Sequence, residues 1–160
     1  MPVTFNKVNI YTDGSCYKNP GKGGFGVLLE YEDHEKEISG GFKLTTNNRM
    51  EIMAAIIGLE ALINTCKVIL WSDSQYLVRA MNESWVKRWK NRNWTKSDRK
   101  NPANIDLWER LLKLCGYHDV EFRWIRGHKG NIGNNRCNAI ARSAARGKNL
   151  QDDYGYSEFI

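Results

Sequence analysis

Asp13, Glu51 and Asp73 are the residues of this sequence most suited to chemistry. Asp13 ends the alternating run Val8-Asn9-Ile10-Tyr11-Thr12, which has the period-2 pattern of a half-buried strand. Asp73 follows Val68-Ile69-Leu70-Trp71, an unbroken apolar run of the kind covered on both faces. Glu51 stands at the start of an apolar helical stretch between the two. A carboxylate set against a core is costly to desolvate unless something positive meets it. Three of them on three separate elements suggest a metal site. Oxygen ligands without His or Cys favour Mg²⁺ or Mn²⁺ over zinc.

Each acid also has an ordinary explanation. Glu51 fits a capping box opened by Asn48. Asp73 fits a cap on the helix that follows it, and Asp13 before Gly14 fits simple turn chemistry. Singly, those readings would prevail. Jointly, the acids carry more weight, because parallel strands present ligand sites at their carboxyl ends. Asp13 and Asp73 both lie at such ends if their strands are neighbours.

The elements that must position these acids form one α/β unit. A strand over about 3–12 is followed by the turn Asn19-Pro20-Gly21-Lys22-Gly23-Gly24 and a second strand over 25–31. A third strand runs over 35–44, so the first three make an antiparallel meander. The stretch 52–62 is apolar nearly all round and predicts a buried helix. A fourth strand, 65–71, is reached through that helix and so runs parallel to the first. A short helix over 75–81, an amphipathic helix over 104–115, a fifth strand over 120–124, a loop over 126–133 and a helix over 134–146 complete the chain.

Length and composition fit one domain over 1–160. With 41% apolar and 26% charged residues, the sequence is that of a globular protein. No run has transmembrane length and the N-terminus is not that of a signal peptide, which excludes a membrane role and favours the cytoplasm. Cys16, Cys66, Cys115 and Cys137 lack the close spacing of a zinc site and read as free thiols.

The formal net charge of +6 has an address. Ser84–Lys100 holds seven basic residues against one acid, Asp98, leaving 17 of the 24 basic and 17 of the 18 acidic residues elsewhere. Trp85, Trp89 and Trp94 are interleaved with Lys87, Arg88 and Lys90. A solvated helix face with its tryptophans in the core is one reading. A basic, aromatic projection that binds a polyanion is the other. Magnesium beside such a patch points to phosphoryl transfer by two metals.

The segments TDGSC-x-x-N-P-G, TTNNRME-x-MAA-x-x-x-LEAL, SDSQY and GH-x-G-x-x-x-N-x-RC together resemble bacterial type 1 ribonuclease H, over about 8–146. The resemblance implies a five-stranded mixed sheet, three antiparallel strands then two parallel, flanked by helices on both faces. It implies an endonuclease that cuts the RNA strand of an RNA–DNA hybrid and leaves 5′-phosphate and 3′-hydroxyl ends. Asp13, Glu51 and Asp73 match three of the family's four catalytic, metal-binding acids, and His128 matches its mobile histidine. Cys16, Asn19, Asn47 and Gln75 match positions in the RNA minor groove, where 2′-hydroxyls mark RNA. Thr46 and Asn104 match phosphate contacts on the DNA strand. The segment 84–104 resembles the basic handle, with Trp85 placed against DNA sugar, and 147–160 forms a tail. No obligate protein partner is implied, and monomer is the default.

One position departs from the pattern. Asn138 stands where the family has its fourth acid. An amide oxygen still ligates a hard cation, but the formal charge of the site falls from four negatives to three. The expectation is a raised metal requirement. Two rival readings follow: a hybrid-binding protein of impaired chemistry, favoured by Asn138, and a resolvase- or integrase-like nuclease on the same fold. The handle and the minor-groove residues argue against the second.

Overall fold

The computed structural model describes residues 6–127 and 130–156. Five strands, β1 (Asn6–Cys16), β2 (Gly21–Tyr31), β3 (His34–Thr45), β4 (Cys66–Ser72) and β5 (Asp119–Trp124), form one sheet in the order β3-β2-β1-β4-β5. The β1–β2 and β2–β3 pairs are antiparallel, and β1–β4 and β4–β5 are parallel. The helices are α1 (Asn47–Glu60), α2 (Gln75–Asn82), α3 (Trp85–Asn91), α4 (Ile105–Tyr117) and α5 (Ile132–Ala145). The expected mixed sheet, three antiparallel strands then two parallel, is the one observed.

Alternation on β2 sorts the helices onto two faces. Val27 points to α1, where it meets Gly58 together with Ile10. Gly26 points the other way, to α5. A Cβ at Gly26 would stand 2.4 Å from the Cys137 carbonyl oxygen, so any larger residue would push α5 off the sheet. Helix α1 is buried over most of its surface, as its uniform apolar character requires, with the sheet on one side and α4 on the other.

Two boundaries differ from the sequence expectation in ways that shape the site. Strand β1 does not stop at Thr12 but continues to Cys16. Parallel pairing with β4 ends at Tyr11↔Trp71, while antiparallel pairing with β2 holds as far as Cys16↔Gly23. The hairpin keeps β1 extended after β4 has turned away, which opens a cleft at Asp13. Asp13 therefore lies within a strand, just past its parallel partner. The second difference is the cap of α1. Thr46, not Asn48, is the N-cap, its hydroxyl accepting from the Arg49 N–H at 3.2 Å. Glu51 thus sits beyond the first turn and is no capping-box partner.

The C-terminal segment docks onto the fold. Gln151 pairs with β3, donating to the Gly41 carbonyl at 2.8 Å and accepting from Lys43 N–H at 2.9 Å. Asp153 then reaches Arg49, which is buried in α1. The guanidinium donates to Asp153 at 2.7 and 2.9 Å and to Asp106 at 2.7 and 2.9 Å. Thr45 Oγ1 donates to Asp153 at 2.7 Å as well. A buried cation stripped of one partner is strongly destabilising. Asp153→Ala is expected to cost roughly 3 kcal/mol in urea unfolding. Asp106→Ala should cost much less, because that side chain is 44% exposed and against water its ion pair contributes little.

Candidate active site

The cleft brings the three acids together. Asp13 comes from β1, Glu51 from the second turn of α1 and Asp73 from the link between β4 and α2. One carboxylate oxygen of each lies within 4.8 Å of the others. Asp13 and Glu51 are buried and Asp73 is half-buried.

The approach of β1 to α1 depends on Gly14. A Cβ there would stand 2.6 Å from the Glu51 nitrogen, inside any allowed contact, so only glycine lets the helix lie this close to the strand. The Gly14 N–H also donates to Asp13 Oδ1 at 2.9 Å. Asp73 is held through its backbone. Its carbonyl accepts from the Trp124 indole N–H at 3.2 Å, and Ile125 N–H donates to the Ser72 carbonyl at 2.9 Å. Ser74 caps α2 by accepting from Leu77 N–H at 3.1 Å. No motif in the sequence points to Trp124. Its position at the end of β5, in register with Ser72, is a fact of sheet pairing.

Crowding of like charge shows in the protonation behaviour. Burial, and then the neighbouring Asp73 charge, push Asp13 up to about 6, against hydrogen bonds that favour its ionised form. Burial, followed by Asp13 and Asp73, raises Glu51 well above the usual carboxylate range. Glu51 Oε2 is buried without any hydrogen-bond partner. An orphaned carboxylate oxygen beside two further carboxylates fits a divalent cation with hard oxygen ligands. These residues suit such an ion.

Asn138, on α5, completes the ring from the other face of the sheet. Its Nδ2 donates to Asp13 Oδ2 at 2.8 Å. The nitrogen, not the oxygen, therefore faces the acids, and half a turn about the terminal torsion exchanges the two. His128 lies outside the described residues.

The remaining candidate residues fall into two groups. Asn19, Thr46, Asn47 and Asn104 lie together near the start of α1. Asn19 Oδ1 accepts from Asn47 N–H at 3.1 Å. Asn104 Oδ1 receives a long bond of 3.4 Å from the same buried Arg49. Asn19, Thr46 and Asn104 line a hollow of about 760 Å³ closed on one side by Gly155 and Tyr156. Cys16 is half-buried, its thiol donating to the Lys18 carbonyl at 2.9 Å, and Gln75 is exposed at the start of α2.

The basic segment combines a core anchor with a charged surface. Trp89 packs edge-on against the buried Trp108 with centroids 6.4 Å apart, and Trp85 packs on Trp89 at the same distance. The tryptophans are half-buried anchors. Lys87, Arg88 and Lys90 remain exposed between them.

A five-stranded mixed sheet in this order, with helices on both faces, defines a ribonuclease H-like fold. The chain belongs to the ribonuclease H family, whose sequence model matches residues 5–146. It is 56% identical over 150 residues to a ribonuclease H of Syntrophus aciditrophicus, covering 94% of this chain and 87% of that one. With a ribonuclease H of Shewanella denitrificans it shares 49% identity over 160 residues, the full length of both. Among solved structures it is similar to LC9-RNase H1, a type 1 RNase H with the type 2 active-site motif. That likeness has a TM-score of 0.82 at 30% identity over 91% of this chain and 75% of the other. LC11-RNase H1, solved in complex with RNA/DNA hybrid, aligns with a TM-score of 0.67 at 25% identity over 87% and 96%.

The raised Asp13 gives a testable sign. Above pH 6 the folded, metal-free protein carries an unfavourable charge that the unfolded chain does not feel. As pH falls from 6 towards 4, the folded state takes up its proton first and gains stability, by at most about 3 kcal/mol for a shift of this size. Asp13→Asn should remove that component. The check is a comparison of metal-free urea midpoints at pH 7 and 5, in which the parent gains more on acidification than Asp13→Asn.

Proposed function

We propose that this chain is an endonuclease that hydrolyses the RNA strand of RNA–DNA hybrids by two-metal-ion phosphodiester cleavage, leaving 5′-phosphate and 3′-hydroxyl ends. The observation that carries this reading is the convergence of Asp13, Glu51 and Asp73 in one cleft of a ribonuclease H fold. The relative solved with a hybrid supports the choice of substrate. The whole of 1–160 acts as one catalytic domain, monomeric and cytoplasmic, with 84–104 as handle.

Asp13, Glu51, Asp73 and Asn138 would hold Mg²⁺, with Mn²⁺ as substitute. Bound there, the ions supply Lewis acidity for the attacking water and the leaving oxygen. Asp13 lies at the centre, since it touches Asn138 directly and shares the cleft with both other acids. Glu51 offers its unpartnered oxygen from the buried side. His128 is assigned to proton handling or product departure. Cys16, Asn19, Asn47 and Gln75 read the RNA strand in the minor groove, and Thr46 and Asn104 hold a DNA phosphate. Trp85 and Trp89 offer flat surfaces to the DNA strand, and Lys87, Arg88 and Lys90 contact phosphate.

A second reading, a hybrid binder of impaired chemistry, is favoured by the amide of Asn138 at the position of an acid. It serves Asp13 as a hydrogen-bond donor without metal, and must turn around to offer oxygen to a cation. A metal titration on one labelled hybrid separates the readings. Asp13→Asn and Asp73→Asn are each expected to abolish cleavage and retain hybrid binding. Asn138→Asp should lower the Mg²⁺ midpoint by about tenfold, or about 1.4 kcal/mol, a fraction of the Coulomb energy of one added charge beside a divalent ion. Unchanged midpoints and rates for Asn138→Asp would show that this position does not govern metal binding. Parent rates for Asp13→Asn at saturating Mg²⁺ would sink the site.

The handle is tested by Lys87→Ala/Arg88→Ala/Lys90→Ala. KM for hybrid should rise far more than kcat falls, because these contacts act equally in ground and transition states. The salt dependence of binding should flatten as fewer counterions are released. An unaltered KM and salt slope would reduce the segment to a solvated surface.

A further inference from the structure

Two acid-free stretches of the chain meet in the fold. From Gly14 to Leu29 the charged residues are Lys18 and Lys22. From Asn131 to Gln151 they are Arg136, Arg142, Arg146 and Lys148. Helix α5 lies directly on β2, where a Cβ on Gly24 would stand 2.5 Å from the Ala141 carbonyl oxygen. The two stretches therefore pack together and contribute six cations and no acid of their own, with Glu35 and Glu37 of β3 reaching in to Arg136. The balance of charge outside the handle is a balance in number and not in space.

The cations of this surface are not equivalent. Arg136 is occupied by Glu35 at 2.7 Å and by Glu37, both on β3. Arg142 is exposed and makes no ion pair among the described residues. Arg146 is oriented by an aromatic instead of an acid. Its guanidinium lies 5.4 Å over the ring of the exposed Tyr17, and its Nε donates to the phenolic oxygen. Arg142 and Arg146 line a shallow cleft with Ala139 and Ser143.

Their placement relative to the acids is fixed by the helix. Asn138 touches Asp13. Arg142 and Arg146 follow at successive four-residue intervals, about 6 and 12 Å further along the axis. At about 3.4 Å of axial rise per nucleotide, that reach spans a few nucleotides of one strand. The handle belongs to the opposite face, where Trp89 packs on Trp108 of α4. A nucleic acid seated on the carboxylates would have the handle to one side and this surface to the other.

We propose that Arg142, Arg146, Tyr17 and Lys22 form a second contact surface for the sugar–phosphate backbone of bound nucleic acid, flanking the cut on the side away from the handle. This inference rests on the acidic cleft being the cleavage centre. Guanidinium groups match phosphate oxygens in pairs. Stacking on Tyr17 holds Arg146 ready, so less side-chain freedom is given up when a phosphate arrives.

The test is fluorescence anisotropy of a labelled RNA–DNA hybrid in EDTA, across a range of salt, with the full chain and Arg142→Ala/Arg146→Ala. Both side chains are exposed or lie at the helix end, and a thermal melt checks that the fold is kept. The salt slope is expected to fall by nearly 2, about 0.9 for each phosphate no longer neutralised, and affinity at 0.1 M salt to fall roughly tenfold or more. Arg142→Lys/Arg146→Lys should restore the slope and only part of the affinity, since lysine keeps the charge without the paired geometry. Repeating the measurement with hybrids shortened at either end locates the contact. The deficit should vanish on one shortened hybrid and persist on the other. Parent slope and affinity for the double alanine variant would overturn the proposal, and a deficit that persists on both shortened hybrids would overturn its placement. A parent chain that does not prefer hybrid to a DNA duplex of equal length would overturn the underlying reading, and the proposal with it.

Discussion

Burial of Asp13 and Glu51, compounded by repulsion among Asp13, Glu51 and Asp73, is the constraint around which this molecule is built. Three carboxylates within 4.8 Å, two of them buried, oppose folding until a cation joins them. The surrounding structure must hold them there by other means. The β1–β2 hairpin carries Asp13 past the end of parallel pairing, Gly14 lets α1 press Glu51 against it, and the Trp124 indole ties down the backbone of Asp73. Each of these restraints acts on backbone or packing, while both Asp13 oxygens accept hydrogen bonds and Glu51 Oε2 is left without a partner. That is the arrangement expected where strain at a functional site is borne by the scaffold.

Asn138 fits this constraint in a particular way. A fourth carboxylate would add repulsion to a site already crowded with negative charge, whereas the amide donates to Asp13 and favours its ionised form. The metal-free fold is relieved of that repulsion at Asn138.

Helices α1, α3 and α5 sort the charge of the surface. Arg49 in α1 is buried and neutralised by Asp106 and Asp153, so it is a structural cation that fastens the C-terminal segment and steadies Asn104. The handle cations Lys87, Arg88 and Lys90 stay exposed because the tryptophans below them anchor α3 to the core. On α5, Arg136 is neutralised by β3, while Arg142 and Arg146 pair with no acid among the described residues. Exposed cations thus stand on α3 and on α5 with its C-cap.

The sequence alone was enough for the five strands and for α1, α2, α4 and α5, because hydrophobic period distinguishes a meander of strands from a helix buried all round, whereas α3 lies in the basic segment, where charge leaves no such period to read. It was also enough for the identity of Asp13, Glu51 and Asp73, since oxygen acids beside apolar runs are unusual and their motifs specific. Glycine next to Asp13 and the one-sided charge of 84–100 were legible for the same reason: they are local. What pairs with what was not. That β1 outruns β4, that Trp124 holds Asp73, and that Asp153 closes on Arg49 more than a hundred residues away are contacts between distant segments. The nitrogen of Asn138 facing Asp13 and the meeting of two acid-free stretches at the β2–α5 contact are of the same kind. No local pattern encodes them, because register and helix docking are chosen by the packing of the whole core, and only the folded chain settles which charges are neutralised and which remain available.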